Sequence, residues 1–298
     1  MRGTTEPRNH SIERTNVAGI QDFKGKTAVV TGGGSGIGGG MCRRFAKQGM
    51  QVVVADVEGE SAEIAAKALR EEGARAIGVA CDVSQRSDVE SLAASSIKEF
   101  GAVDVVCNNA GIFFGGKLRE FTEGDWEWTM SVNLMGVVHG STIFGQHMAE
   151  RGSGQIVNTA SIGGWAPDPN CAPYTTSKFA VVGFSEALRR DLEPEGVGVT
   201  ILCPGPVATG MAKADRLRPE SAGPSAATSL AAEPVMAIGM PPDDVGDLVL
   251  DGIRENATYV FTHPDFGIAF EPRFEEMRRA IARAPKPRTG DVSPEALS

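Results

Sequence analysis

The stretch Ala28-Val-Val-Thr31-Gly-Gly-Gly-Ser-Gly-Ile-Gly38 decides the fold. An apolar β-branched run enters a glycine turn, and an amphipathic segment with Met41, Phe45 and Ala46 leaves it. A strand that feeds a helix through glycines lets backbone N–H groups and the helix N-terminus approach a pyrophosphate closely. Glycines also make tight turns without a ligand, so the strand before and the helix after carry the distinction. Gly32, Ser35, Gly36 and Gly38 are the candidate phosphate-contacting positions. Asp56 ends the next apolar run, about 20 residues on, where a carboxylate can accept from both hydroxyls of an adenosine ribose. Its charge opposes a 2′-phosphate, and neither Ser35 nor Val57 supplies a cation, so NAD is expected over NADP.

Working outward, runs rich in Val, Ile and Ala alternate with helical patterns, the signature of parallel strands buried on both faces. Strands are predicted near 27–31, 51–55, 75–80, 103–107, 155–159, 198–202 and 258–261. Helices are predicted near 36–48, 61–72, 85–100, 125–150, 174–193 and 243–255. This alternation predicts an α/β fold: a single-domain, doubly wound parallel sheet, Rossmann-like, with right-handed crossovers and helices on both faces. The expected organisation is a flexible N-terminal extension at 1–22, a dinucleotide-binding and catalytic domain at 23–283, and a flexible tail at 284–298. Residues 210–241 are too long for an ordinary connection and follow a strand end, which suggests a lid-like loop or disorder.

Composition narrows the class. With 298 residues, 41% hydrophobic and 22% charged, the chain can bury a sizeable core. A net charge of -9 argues against nucleic acid as a partner. Neither a membrane-spanning run nor a secretory signal is evident, and the expectation is a cytoplasmic protein. Cys42, Cys81, Cys107, Cys171 and Cys203 form no C-x-x-C pair and read as reduced core thiols. The histidines do not cluster with acids or thiols, so no metal site is expected.

The second half carries acid–base chemistry. In Pro173-Tyr-Thr-Thr-Ser-Lys178, Tyr174 and Lys178 are spaced i, i+4 and share one helix face. A free tyrosine is only about one part in a thousand phenolate at neutral pH, and a neighbouring ammonium is expected to lower its pKa. Tyr174 is therefore the candidate general acid/base. Ser161, ending Ile156-Val-Asn-Thr-Ala-Ser161, can orient a substrate oxygen, with Thr159 as the competing hydroxyl. Asn133, in Ser131-Val-Asn-Leu134, is a polar residue that can satisfy a helix kink.

The spacing T-G-x-x-x-G-x-G, then Asn108-Asn-Ala-Gly111, then Tyr174-x-x-x-Lys178 resembles the compact branch of the short-chain dehydrogenase/reductase family, over about residues 24–262. The resemblance implies a tetrad of Asn133, Ser161, Tyr174 and Lys178, with Asn133 holding a water. It implies that Asp82 and Val83 contact the adenine and that Asn108 lies beside a ribose. It places Ile37 near the nicotinamide ribose, which Lys178 hydrogen-bonds, and Val207 and Thr209 against the carboxamide. It also implies a homo-oligomer, tetramer or dimer, formed through the helices at 125–150 and 174–193.

Phe113, Phe114, Trp165, Cys171 and Met211 are candidate pocket residues by position, although aromatics near a core edge also simply pack. No arginine is placed to clamp a carboxylate, so the expected substrate is a neutral hydrophobic secondary alcohol or ketone, aromatic ones included. Asn133-Leu-Met-Gly136 and Tyr259-Val-Phe-Thr-His263 followed by Glu271-Pro-Arg-Phe274 are similar to Cα-dehydrogenases of lignin-type aryl ethers. The competing function is a catalytically silent NAD(H)-binding sensor or scaffold.

Overall fold

A computed structural model describes residues 17–236 and 238–285; the expected extension before residue 17 and the tail after 285 lie outside the described residues. The strands are β1 (Thr27–Thr31), β2 (Gln51–Asp56), β3 (Ala76–Ala80), β4 (Val105–Asn108), β5 (Gly154–Thr159), β6 (Val197–Cys203) and β7 (Tyr259–Phe261). Among the described residues they form a seven-stranded parallel sheet in the order β3-β2-β1-β4-β5-β6-β7. The order reverses between β1 and β4, so their C-terminal ends open a crevice between connections that leave in opposite directions.

Alternation along each strand divides the core. Val30, Val52, Val54, Val105 and Val157 pack with Met41, Phe45, Val249 and Leu250 on one face of the sheet. Val29, Val53, Val106, Ile156 and Val199 pack with Leu92, Phe144 and Met148 on the other. The first face is covered by α1 (Gly36–Lys47), α2 (Gly59–Glu71) and α8 (Pro242–Glu255). The second is covered by α3 (Arg86–Phe100), α5 (Gly136–Arg151) and α6 (Ala172–Leu192). None of the described helices is long and apolar enough to cross a membrane.

The helix expected over 125–150 is broken. α4 (Glu123–Met130) ends in a π turn at Ser131–Met135 before α5 begins. The widened turn carries Asn133, whose side chain is fully buried and bound to the backbone of Ile112. Pulling that residue inward without shifting the flanking helical faces requires an inserted residue, which a π turn accommodates.

Residues 210–236 form a strap of 3-10 turns, with a short helix α7 (Glu233–Met236) at its end. Bridges Gly115↔Thr228 and Val207↔Met240 tie it to the domain. The buried Asp125 anchors its middle, accepting from Arg218 Nη1 at 2.5 Å and Ser225 Oγ at 2.7 Å. Arg218 also donates to the carbonyls of Ala222 and Gly223. The compact unit closes at His263; Pro264–Ala269 and α9 (Glu271–Arg283) belong to a second unit.

Candidate active site

The glycine turn fits a pyrophosphate. Gly36 has φ +53, where a side chain is strained, and a Cβ on Gly38 would stand 2.1 Å from the Gly32 carbonyl. Ser35, the residue before α1, makes no side-chain cap, which leaves the first N–H groups of the helix to an incoming anion. At the end of β2, Asp56 Oδ2 accepts from Gly34 N at 3.1 Å and Oδ1 from Glu58 N at 3.1 Å. Burial pushes its carboxyl upward, against the pull of these two N–H groups and of Arg216.

From here one cavity of about 680 Å³ runs along the strand ends. Gly32, Ser35, Gly36, Ile37 and Asp56 line one end, and Cys81, Asp82 and Val83 line its side. Ser161, Tyr174 and Lys178 line it too, as do Val207, Thr209 and Met211, and Thr209 stands against Gly36 of the turn. Asp82 holds its own turn, Oδ1 accepting from Ser84 N at 2.9 Å. Gly38 is not on the wall; its part is the close helix–turn approach described above.

Ser161 ends the segment after β5, 8% exposed, and its Oγ accepts from Gly163 N at 3.0 Å. Gly163 has no side chain to separate this hydroxyl from the phenol: a Cβ there would lie 3.5 Å from Ser161 Oγ and 3.6 Å from Tyr174 Cε1. Tyr174 stands in the first turn of α6 with Phe113 edge-on at 5.0 Å. Burial pushes its phenol up to about 12, against a hydrogen bond from Ser161 that pulls it down, while Cys171 and Asp168 add to the rise. Burial thus outweighs the lowering expected from Lys178. Its Nζ donates to the Thr159 carbonyl at 2.9 Å and sits 5.7 Å from the phenol ring centroid, while burial brings the ammonium down to about 8.

Asn133 belongs to this cluster from behind. Its Oδ1 accepts from Ile112 N at 2.8 Å, and its Nδ2 donates to Ile112 O at 2.9 Å and Ser177 Oγ at 3.2 Å. Both Asn133 Oδ1 and Lys178 Nζ crowd Gly111, at 3.3 and 3.6 Å from where a Cβ would be.

Several expected residues lie elsewhere. Asn108 shares the β4 face of Val106 and points to the α5 side, where its Nδ2 donates to Ser141 Oγ and Asn158 Oδ1. The next residue, Asn109, reaches the cavity, held by Thr31. Phe114 is buried against Trp128 beneath the strap, and only Phe113 of the pair faces the cavity. Trp165 turns away to Cys203, Tyr259 and Phe261. Cys171 is buried, its Sγ bonded to Asp168 O and Thr175 Oγ1. The cavity wall is instead completed by Ile112, Trp128, Ala214 and Leu217, with Glu127 and Asp168 as carboxylates along it. Trp128 lies on an eight-residue helix, too short to give a periodic signal, and the strap residues come from a segment without charge or apolar patterning. Ser35 and Val57 supply no cation, but the distant strap does: Arg216 pairs with Glu58 and pulls the Asp56 carboxyl down.

The family model for short chain dehydrogenases matches residues 26–220. A C alpha-dehydrogenase of Sphingobium sp. (strain NBRC 103272 / SYK-6) is 31% identical over 270 residues, covering 88% of each chain. A short chain dehydrogenase/reductase from Burkholderia phymatum, solved in complex with NAD, superposes with a TM-score of 0.84 at 37% identity, covering 91% of this chain and 100% of that one. LigO from Sphingobium sp. strain SYK-6 gives a TM-score of 0.77 at 32% identity, covering 89% of this chain and 93% of that one. On a family match over most of its length, the chain belongs to the short chain dehydrogenases.

Proposed function

We propose that this protein is an NAD-dependent oxidoreductase acting on a neutral, hydrophobic secondary alcohol or its ketone, with aryl carbinols the favoured class. The observation that carries the reading is convergence: Ser161, Tyr174 and Lys178 share one cavity with the glycine turn and Asp56. Asp56 and the open N-terminus of α1 would hold the adenosine ribose and the pyrophosphate. When bound, the nicotinamide supplies the hydride acceptor or donor. The NAD complex of the Burkholderia relative supports the same cofactor here.

The chain's own residues handle the proton. At neutral pH the Tyr174 phenol, pushed up to about 12, carries its proton and can give it to a ketone oxygen. In the oxidative direction it must take that proton from a carbinol, and the Ser161 hydroxyl is placed to share the charge that develops. Lys178, held near 8, is still largely ammonium at pH 7 and offsets phenolate charge from below the ring. Asn133 positions the Ile112 peptide beside this cluster.

The walls favour an apolar substrate. Ile112, Phe113, Trp128, Met211, Ala214 and Leu217 offer hydrocarbon and ring surface, and the carboxylates Glu127 and Asp168 repel an anionic substrate. The C alpha-dehydrogenase relative makes aryl carbinols the first compounds to test. The experiment follows NADH absorbance with NAD+ or NADP+ over aliphatic, steroid-sized and aryl secondary alcohols. Turnover with NAD+ that disappears in Tyr174→Phe supports the reading. Silence in both directions with intact NADH binding replaces it with a sensor or scaffold.

A further inference from the structure

Thr262, directly after β7, is 4% exposed and sits at the base of the Pro204–Thr209 loop. Its Oγ1 accepts from Gly205 N at 2.9 Å and shares a second hydrogen bond, of 2.7 Å, with His263 Nδ1. A hydroxyl has one proton and two lone pairs, so it can accept the Gly205 N–H and still donate to an imidazole that carries its proton on Nε2. The imidazole lies hard against Gly205: a Cβ there would stand 2.6 Å from Nδ1 and 3.0 Å from Cγ. The loop, the hydroxyl and the ring therefore fit only with glycine at 205.

At the loop's far end Thr209 Oγ1 donates to Met236 Sδ at 3.8 Å, and the remaining anchors are backbone. Pro204 O accepts from Ile162 N, Pro206 O accepts from Met240 N, and Ala208 N donates to Met240 O. Thr262 is the side chain that holds the peptide between Pro204 and Gly205. That peptide adjoins Ser161 through the Ile162–Pro204 bond, and Pro204 to Val207 all line the cavity. We propose that Thr262, backed by His263, is a positioning residue that fixes this loop against the nicotinamide end of the cleft. The proposal rests on the cofactor reading above, and it concerns the nicotinamide ring, the part of the cofactor that ADP-ribose lacks.

The test is calorimetric titration of NADH and of ADP-ribose into the wild type, Thr262→Val, Thr262→Ser and Gly205→Ala. Thr262→Val keeps the shape but leaves the buried Gly205 N–H without an acceptor, so NADH affinity falls on the order of tenfold. ADP-ribose affinity stays within about twofold, because the adenosine end is untouched. Thr262→Ser restores NADH binding, a rescue that a packing role for the threonine methyl would not give. Gly205→Ala drives a methyl into the imidazole and reproduces the Thr262→Val pattern, and it carries the test alone if that variant does not fold. Equal weakening of both ligands, or no change in either, overturns the proposal. A wild type that binds neither ligand defeats the cofactor reading itself and this proposal with it.

Discussion

Arg216 on the strap is ion-paired with Glu58, which follows the end of β2, so the strap closes over the groove that holds Asp56. The pair is partly exposed, and such pairs contribute at most about 1 kcal/mol. Arg216→Ala is therefore expected to speed NADH release about two- to fivefold in stopped-flow displacement, with the difference shrinking at high salt. Glu58→Gln tests the other partner. It frees a guanidinium beside the ribose acid, so the preference for NAD+ over NADP+ in kcat/KM should fall. An unchanged preference would show that Arg216 does not reach the 2′ position.

The Asp125–Arg218 pair is a different case because Asp125 is fully buried. Burial drives its carboxyl up, yet the Thr122 amide, Ser225 and Arg218 together bring it below the usual carboxylate range. Arg218→Met strands a buried charge, at a cost of about 3 kcal/mol. The sign with pH follows: a lowered folded pKa contributes stability above the unfolded value, and that contribution is lost as pH falls through the folded pKa. The wild-type advantage should thus be full at pH 7 and shrink in acid. Hydrogen exchange would place the loss in the strap amides of residues 210–230, and protection there equal to wild type would refute the anchor role.

Lys178 gives the opposite slope. Burial lowers its ammonium from 10.5 to about 8, so across that window the unfolded chain holds a proton that the folded chain has lost. Stability therefore rises with pH between these values, and below pH 8 the fold bears the full penalty, up to about 3 kcal/mol. Lys178→Met removes the slope. It also removes the bond to the Thr159 carbonyl, which shifts stability equally at every pH. Urea unfolding at pH 7.5 and 9.5 decides it: wild type gains over the variant at the higher pH, and parallel values would mean that Lys178 is not desolvated.

What the sequence disclosed depended on how local each signal was. The inner strands were legible because strands buried on both faces read as continuous apolar runs, whereas the edge strands β3 and β7 are only partly buried. Tyr174 and Lys178 were legible because one helical turn brings them together without tertiary help. Asn133 was visible as a residue, but the π turn that carries it was not, since its cause lies 21 residues away at Ile112. Asn108 and Asn109 differ by one step, and at a strand end one step exchanges a buried face for the cavity. The Arg216–Glu58 pair spans 158 residues and leaves no trace in either segment. Trp165 and Cys171 were placed by distance along the chain from Ser161 and Tyr174, and the fold turns Trp165 toward β7 and buries Cys171.

That difference between the aromatics can be measured. Phe113 meets the Tyr174 ring edge-on at 5.0 Å and lines the cavity, whereas Trp165 hydrogen-bonds Cys203 Sγ at 3.3 Å and stacks toward β7. Phe113→Ala opens space beside the phenol and removes an aromatic contact worth about 0.5–1.5 kcal/mol beyond its buried area. For an aryl carbinol, kcat/KM should fall about tenfold or more, while a small aliphatic alcohol that never reached the ring loses far less. Trp165→Phe gives up the Cys203 hydrogen bond and part of a packed cluster, so it should lower the melting temperature and leave the ratio between the two alcohols unchanged. A shifted ratio in Trp165→Phe, or an unshifted one in Phe113→Ala, would return the substrate wall to the side that sequence position alone suggested.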